Sequence, residues 1–179
     1  FNAGIGSQIQ GDGKIRMSAA LMDGETKKMS GVINIEEVKN PIQVAKILMK
    51  EEDRILGGSG ATNYARQHGF EEFSTEIPQR RTEYDAKLKS LGLGTVGCVA
   101  LDSKGNIAAA TSTGGKGFEM PGRISDSATT AGNYVNSFCG VSCTGVGEDI
   151  VSAAVATKIV TRVTDGMKLE MAFEKTFNE

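Results

Sequence analysis

The sequence predicts an α+β fold, on three observations. Segments with apolar alternation come in adjacent pairs, helical segments come in runs, and no regular strand–helix–strand rhythm links them. With 179 residues there is room for one domain. The composition is globular: 39% of residues are hydrophobic and 23% charged. The 23 glycines are close to twice the usual share of about 7%, and mark tight turns and close backbone approaches.

Residues 14–35 read as a hairpin. Ile15, Met17, Ala19 and Leu21 alternate, Asp23-Gly24 gives the turn, and Met29 to Ile35 returns. Asn40 then suits a helix N-cap and Pro41 a first helical position. An apolar stripe of Ile42, Ala45, Ile47, Leu48 and Met49 follows, ended by the charged run Lys50 to Arg54. Ile55-Leu56 is short and extended, and Ser59 caps a second helix closing at Gly69. Residues 71–91 are polar, with a helix around 79–90; the stretch of about 71–94 is expected to be an exposed, mobile linker.

Gly94 to Leu101 and Ile107 to Ser112 form a second hairpin around the turn Asp102 to Asn106. Residues 114–133 are a glycine-rich loop, and Phe138 to Cys143 is another short strand. One helix, rich in small residues, is predicted from Glu148 to Val163, broken by Asp165-Gly166 before a last helix over 168–178.

Several function classes are excluded. No apolar run approaches the ~20 residues that span a bilayer. A net charge of -2 leaves no basic surplus for phosphates, so neither nucleic acid nor membrane is an expected partner. Three cysteines, an odd number, favour a reducing compartment, and a cytoplasmic location is expected. The chain opens at Phe1 and closes inside a predicted helix, so it is expected to be part of a longer product.

Few residues can carry chemistry. His68, the single histidine, lies near the end of a polar helix and reads as a surface residue. Cys139 and Cys143, without histidine partners, read as small buried hydrophobes rather than metal ligands. Gly57-Gly58-Ser59-Gly60-Ala61-Thr62 lacks the lysine of a phosphate loop and reads as a tight turn into a helix. Threonine remains. Thr95 opens a strand beside the linker, Thr113 ends the paired strand, and Thr144 follows a third. A hydroxyl needs a base beside it to become a nucleophile. With one histidine, the alternative is a free α-amine, whose pKa of about 7.7–8.0 lies near working pH. A cut between Gly94 and Thr95 would give Thr95 both groups, and a glycine before the cut leaves the carbonyl unobstructed. From the residues alone, Thr95 stands open as nucleophile or as ordinary strand threonine.

The segment GTVGCVALDSKGNIAAATSTGGKGFEMPGRISDS, with FNAG before it and GVSCTGVGE after it, resembles the plant-type, threonine-dependent L-asparaginase and isoaspartyl peptidase family of N-terminal nucleophile hydrolases. The resemblance implies a four-layer αββα sandwich as one domain, in which 1–94 form one subunit after self-cleavage and 95–179 the next. It implies Thr95 as nucleophile, Thr113 as its orienting partner, Arg123 as carboxylate binder and Asp126 as ammonium binder. Thr144 and Gly145 would bind substrate and form the oxyanion hole with Asn2, and Gly147 would shape that loop. A guanidinium fork suits a carboxylate bidentately, and a carboxylate suits an ammonium.

Implied further are hydrolysis of L-asparagine and β-aspartyl dipeptides, no organic cofactor, a structural sodium near FNAG, and a homodimer of cleaved units. The family's upstream His-Gly-Gly strand and its strands after the last helix have no counterpart here, which again predicts a part of a longer product. Glycosylasparaginase is a related alternative, but it places Asp where Gly94 stands; a non-catalytic homologue is the other.

Overall fold

The structure, a computed structural model, describes residues 2–86 and 94–179. The predicted first hairpin is present: β1 (Met17–Asp23) pairs antiparallel with β2 (Met29–Ile35). The register moves from Met17↔Ile35 to Ala19↔Val32, three residues of β2 against two of β1. This bulge holds Asn34 at φ 54 and lets Val32 and Ile35 face the same core despite their odd spacing. β3 (Ile55–Gly57) runs parallel to β2 on its outer side. The second hairpin, β4 (Val96–Leu101) and β5 (Ile107–Thr113), joins through β5 to the free edge of β1. The sheet order is β3-β2-β1-β5-β4.

On one face lie α1 (Pro41–Leu48) and α2 (Gly58–Gln67), closing a core of Met17, Ala19, Val32, Ile35, Val38, Val44 and Leu48. Asn40 precedes α1 but makes no side-chain cap bond, and Gly57 rather than Ser59 stands at the N-cap of α2. On the other face a small antiparallel sheet, β6 (Asn133–Val135) and β7 (Gly140–Ser142), seats Val135 against Met22 and Ala109. Over it pack α4 (Gly147–Ala153), α5 (Val155–Thr164) and α6 (Leu169–Phe177), around Ile150, Val155, Ile159 and Ala172. The layers therefore run helices, five strands, two strands, helices: the αββα order.

Three further details differ from the sequence reading. The strand expected over 138–143 is limited to β7. Its partner β6 lies inside the stretch read as loop. The single helix expected from 148 to 163 is two, separated by Ala154 in a left-handed conformation at φ 48. Of the linker, 87–93 lie outside the described residues. Before them, α3 (Pro78–Asp85) is tied down by Arg80 Nε donating to the Gly6 carbonyl (3.0 Å) and by Tyr84 stacked on Phe118 at 5.2 Å.

Candidate active site

Strand pairing brings the threonines together. Val96 lies opposite Ser112 and Gly97 opposite Thr111, so Thr95 meets Thr113 one step further along. Thr95 Oγ1 donates to Thr113 Oγ1 at 3.1 Å, and Thr113 Oγ1 also accepts from the Gly115 amide at 3.3 Å. Alternate residues share a sheet face, so Thr95, Gly97, Thr111 and Thr113 all look toward the small sheet. Gly97 leaves the room there that Ser142 fills, and Thr111 Oγ1 bonds Ser142 Oγ (2.7 Å) and Asn133 Oδ1 (3.1 Å). Thr95 is half-buried, not lost in the packing.

Asn2, fully buried, clasps this corner from the far end of the chain. Its backbone amide donates to the Gly94 carbonyl at 3.2 Å, the carbonyl of the Gly94–Thr95 peptide. Its carbonyl accepts from the Gly114 amide, and its side-chain Nδ2 donates to the Gly115 carbonyl at 2.5 Å. A Cβ at Gly94 would come within 2.5 Å of the Asn2 side chain, so packing alone demands glycine there.

Arg123, Asp126 and Gly147 form the second part of the site. A Cβ on Gly147 would stand 2.8 Å from both Arg123 Nη2 and Asp126 Oδ1, so this glycine lets the helix start of α4 reach both groups. Arg123 does not pair with Asp126. Its Nε donates to Glu148 Oε1 at 2.7 Å, and Lys116 Nζ reaches the same oxygen at 2.9 Å. These two cations hold the Glu148 carboxyl at about 2, far below its ordinary range. Asp126 is 5% exposed and its Oδ2 has no hydrogen-bond partner. Burial pushes its carboxyl above the ordinary range, against the downward pull of Arg123. A buried carboxylate oxygen without a donor is costly; this one lies against Gly132, while Oδ1 faces Gly147. Thr113 and Arg123 line one small polar pocket with Ser18, Asn34, Glu119 and Ser125.

Thr144 and Gly145 are exposed on the stretch leading from β7 to Gly147. Thr144 borders a cleft of about 270 Å³ against Gly97, Cys98 and Val99 of β4. That stretch therefore connects the flank of β4 with the Arg123–Asp126 pair.

The residues read as inert behave so. His68 is exposed, with Nδ1 against the Tyr64 carbonyl (2.9 Å). Cys139 is buried, and burial pushes the Cys143 thiol up to about 11, far from a reactive thiolate. Among the described residues no cluster of His, Cys, Asp or Glu could hold a metal ion. In the FNAG loop the Gly4 carbonyl accepts from the Ser7 hydroxyl and the Gly6 carbonyl from Arg80 Nε.

A family model described as asparaginase matches residues 1–89 and 74–179, together the whole length. The chain belongs to the asparaginase family. It is 48% identical to an isoaspartyl peptidase/L-asparaginase of Synechocystis sp., over 100% of this chain and 60% of that protein. To the isoaspartyl peptidase of Escherichia coli it is 36% identical, over 100% of this chain and 63% of the relative. To a plant-type L-asparaginase of Pyrococcus abyssi it is 36% identical, over 97% and 64%. The chain thus spans about three-fifths of the length of the curated relatives it matches.

Sequence reasoning missed several residues of this asparaginase-family site. Glu148 occupies the Arg123 guanidinium, and its place one residue after Gly147 was the available signal. Glu119, 5% exposed, packs its carboxylate against Gly115. The triad of buried Thr111 and Asn133 with half-buried Ser142 joins the two sheets, and nothing in the sequence links residues so far apart.

Proposed function

We propose that the whole protein is an amidohydrolase of L-asparagine and β-aspartyl dipeptides, using Thr95 freed by self-cleavage after Gly94. The observation that carries this reading is the Thr95–Thr113 hydroxyl pair, which shares one corner with the Asn2 amide on the Gly94 carbonyl. In maturation, Thr95 Oγ1 attacks the Gly94 carbonyl, the Asn2 amide stabilises the oxygen as it gains charge, and the C–N bond breaks. An ester remains, which water hydrolyses to leave a Gly94 carboxylate and a Thr95 α-amine.

In turnover, the neutral amine takes the Thr95 hydroxyl proton as Oγ1 attacks the substrate side-chain carbonyl. The amine passes that proton to the leaving group, which departs as ammonia or as the amine of an amino acid. Water, activated by the same amine, releases aspartate from the β-aspartyl ester. Arg123 receives the substrate α-carboxylate and Asp126 its α-ammonium. Thr144 and Gly145 complete binding and the oxyanion hole, whose single donors typically account for ~3–4 kcal/mol of barrier. Asn2 supports that hole as well as the corner. The names of the relatives, isoaspartyl peptidase and L-asparaginase, agree with this substrate class. No organic cofactor enters the scheme, and a sodium takes no part in any step.

The assembly is proposed as a homodimer of cleaved units. No helix among the described residues is long and apolar enough to cross a membrane. A cytoplasmic location is supported by the odd cysteine count.

The test uses the whole protein. Mass spectrometry is expected to find two chains parted at Gly94/Thr95, with ammonia released from asparagine. Thr95→Ala is expected to stay uncut and to lose turnover. A Thr95→Ala protein that matures and hydrolyses asparagine would refute the nucleophile.

A further inference from the structure

We infer that Asn34 is a positioning residue for Arg123, fixing the turn that presents the guanidinium to the substrate carboxylate; this rests on the role proposed for Arg123. The turn is Met120-Pro121-Gly122-Arg123, closed by the Arg123 amide on the Met120 carbonyl (3.0 Å). Pro121 supplies its second position, and Gly122, at φ 87, its third, as a type II turn requires. Such a turn fixes its four residues to each other but not to the sheet. It stands off in solvent, with Met120 80% exposed.

Asn34 supplies the tether. Its Nδ2 donates to the Gly122 carbonyl at 3.1 Å, and that carbonyl belongs to the peptide whose nitrogen is Arg123's own. The bond therefore restrains the plane from which the Arg123 side chain departs. Asn34 reaches it because the β2 bulge holds its backbone at φ 54, where asparagine is tolerated and where its side chain is turned out of the strand's alternation. The Asn34 amide donates to Ser18 Oγ (3.3 Å), Ser18 lies opposite Thr113, and Thr113 holds Thr95. A polar row across four strands thus links the Arg123 turn to the nucleophile. The other tie on Arg123 is the pair with Glu148, whose side chain is 52% exposed and shared with Lys116. That pair holds the far end of the side chain, whereas the Asn34 bond holds the backbone from which it departs.

Asn34→Gly in the whole protein is the discriminating variant. Glycine keeps the left-handed backbone and the amide to Ser18, and removes only the side-chain donor. The expected result is a KM for asparagine raised roughly three- to tenfold, the loss of one hydrogen bond of ordinary strength, with kcat nearly unchanged. Inhibition by L-aspartate should weaken by the same factor, and scission at Gly94 should stay complete. Independently of turnover, hydrogen exchange at the Arg123 amide should lose protection in the variant. Unchanged exchange would show that Asn34 does not hold the turn. Faster exchange with unchanged KM, or a loss confined to kcat, would refute the positioning role. A wild-type protein inert toward asparagine would instead refute the proposed function, while the exchange experiment would still decide whether Asn34 holds the turn.

Discussion

Toward α1 and α2 the five-stranded sheet presents Met17, Ala19, Val32 and Ile35, all fully buried and all aliphatic. Toward β6 and β7 the same strands present Ser18, Thr111 and Thr113, buried almost as deeply, and the residues met there include Asn133, Ser127 and Asp126. The first face gains stability from area removed from water, and its geometry needs only to be close-packed. The second also buries apolar area, Met22 and Ala109 against Val135, but must in addition match its hydroxyls and amides with partners. Thr111 achieves this with Asn133 and Ser142. Asp126 Oδ2, Ser125 Oγ and Ser127 Oγ do not. These three belong to consecutive residues, Ser125 to Ser127, on the segment that packs against β1 and β5.

The strongest test of this contrast is Asp126→Asn. On the polar face, removing a charge should cost binding rather than folding. Loss of the buried partner of an ammonium typically costs about 2–5 kcal/mol, so KM for asparagine should rise roughly thirtyfold or more. Stability should move the other way. Burial raises the Asp126 carboxyl above 3.8, so between 3.8 and its raised position the folded state binds more protons than the unfolded state. Stability conferred by this group therefore falls as pH rises through that window, and the penalty is complete above it. The variant should match or exceed the wild type at pH 7 and lose that advantage below 3.8. Denaturant unfolding at both pH values checks it; a variant weaker at pH 7 would mean that Asp126 is stabilising in the free protein.

Leu48→Ala is the mirror experiment on the dry face. Leu48 is fully buried between α1 and the sheet. Its truncation should cost about 2–5 kcal/mol of stability through lost transfer energy and a cavity. KM of the protein that remains folded should not change. A shifted KM would mean that the two faces are mechanically coupled and that the division of labour is false.

How much of this was legible in the sequence follows the same division. The dry face was readable because its signal is local: Met17, Ala19 and Leu21 alternate, and α1 carries its own stripe. The positions of Thr95, Thr113, Arg123 and Asp126 were legible through motif order. What they touch was not. Glu148 on Arg123, and Asn34 on Gly122, join residues 25 and 88 apart in sequence. β6 escaped notice because Asn133-Tyr134-Val135 opens with a residue that strands disfavour, and its reason for being there is Thr111 on another sheet. Asn34 carried a faint signal of its own, an asparagine inside a strand pattern, which is a mark of a bulge.

The helix break at Ala154 illustrates how the polar face is bought with local strain. The apolar periodicity runs through 148–163 without interruption, yet Ala154 sits at φ 48, a conformation an L-residue adopts at a penalty of about 1–2 kcal/mol. The break turns α4 away from the line of α5, so that Gly147 and Glu148 arrive at Asp126 and Arg123 while Val155 and Ile159 stay in their core. Glycine at 154 would relieve the backbone penalty but would add roughly 0.5–1 kcal/mol of chain entropy to the unfolded state. The difference favours the variant, so Ala154→Gly should gain about 0.5–1 kcal/mol, with KM unchanged because the break is retained. Ala154→Val, with a branched side chain in the same conformation, should lose stability instead. Equilibrium denaturation of the pair measures both signs. Should glycine destabilise and valine be neutral, the helix would be straightening in solution, and Gly147 could not then hold the place between Arg123 and Asp126 on which the polar face depends.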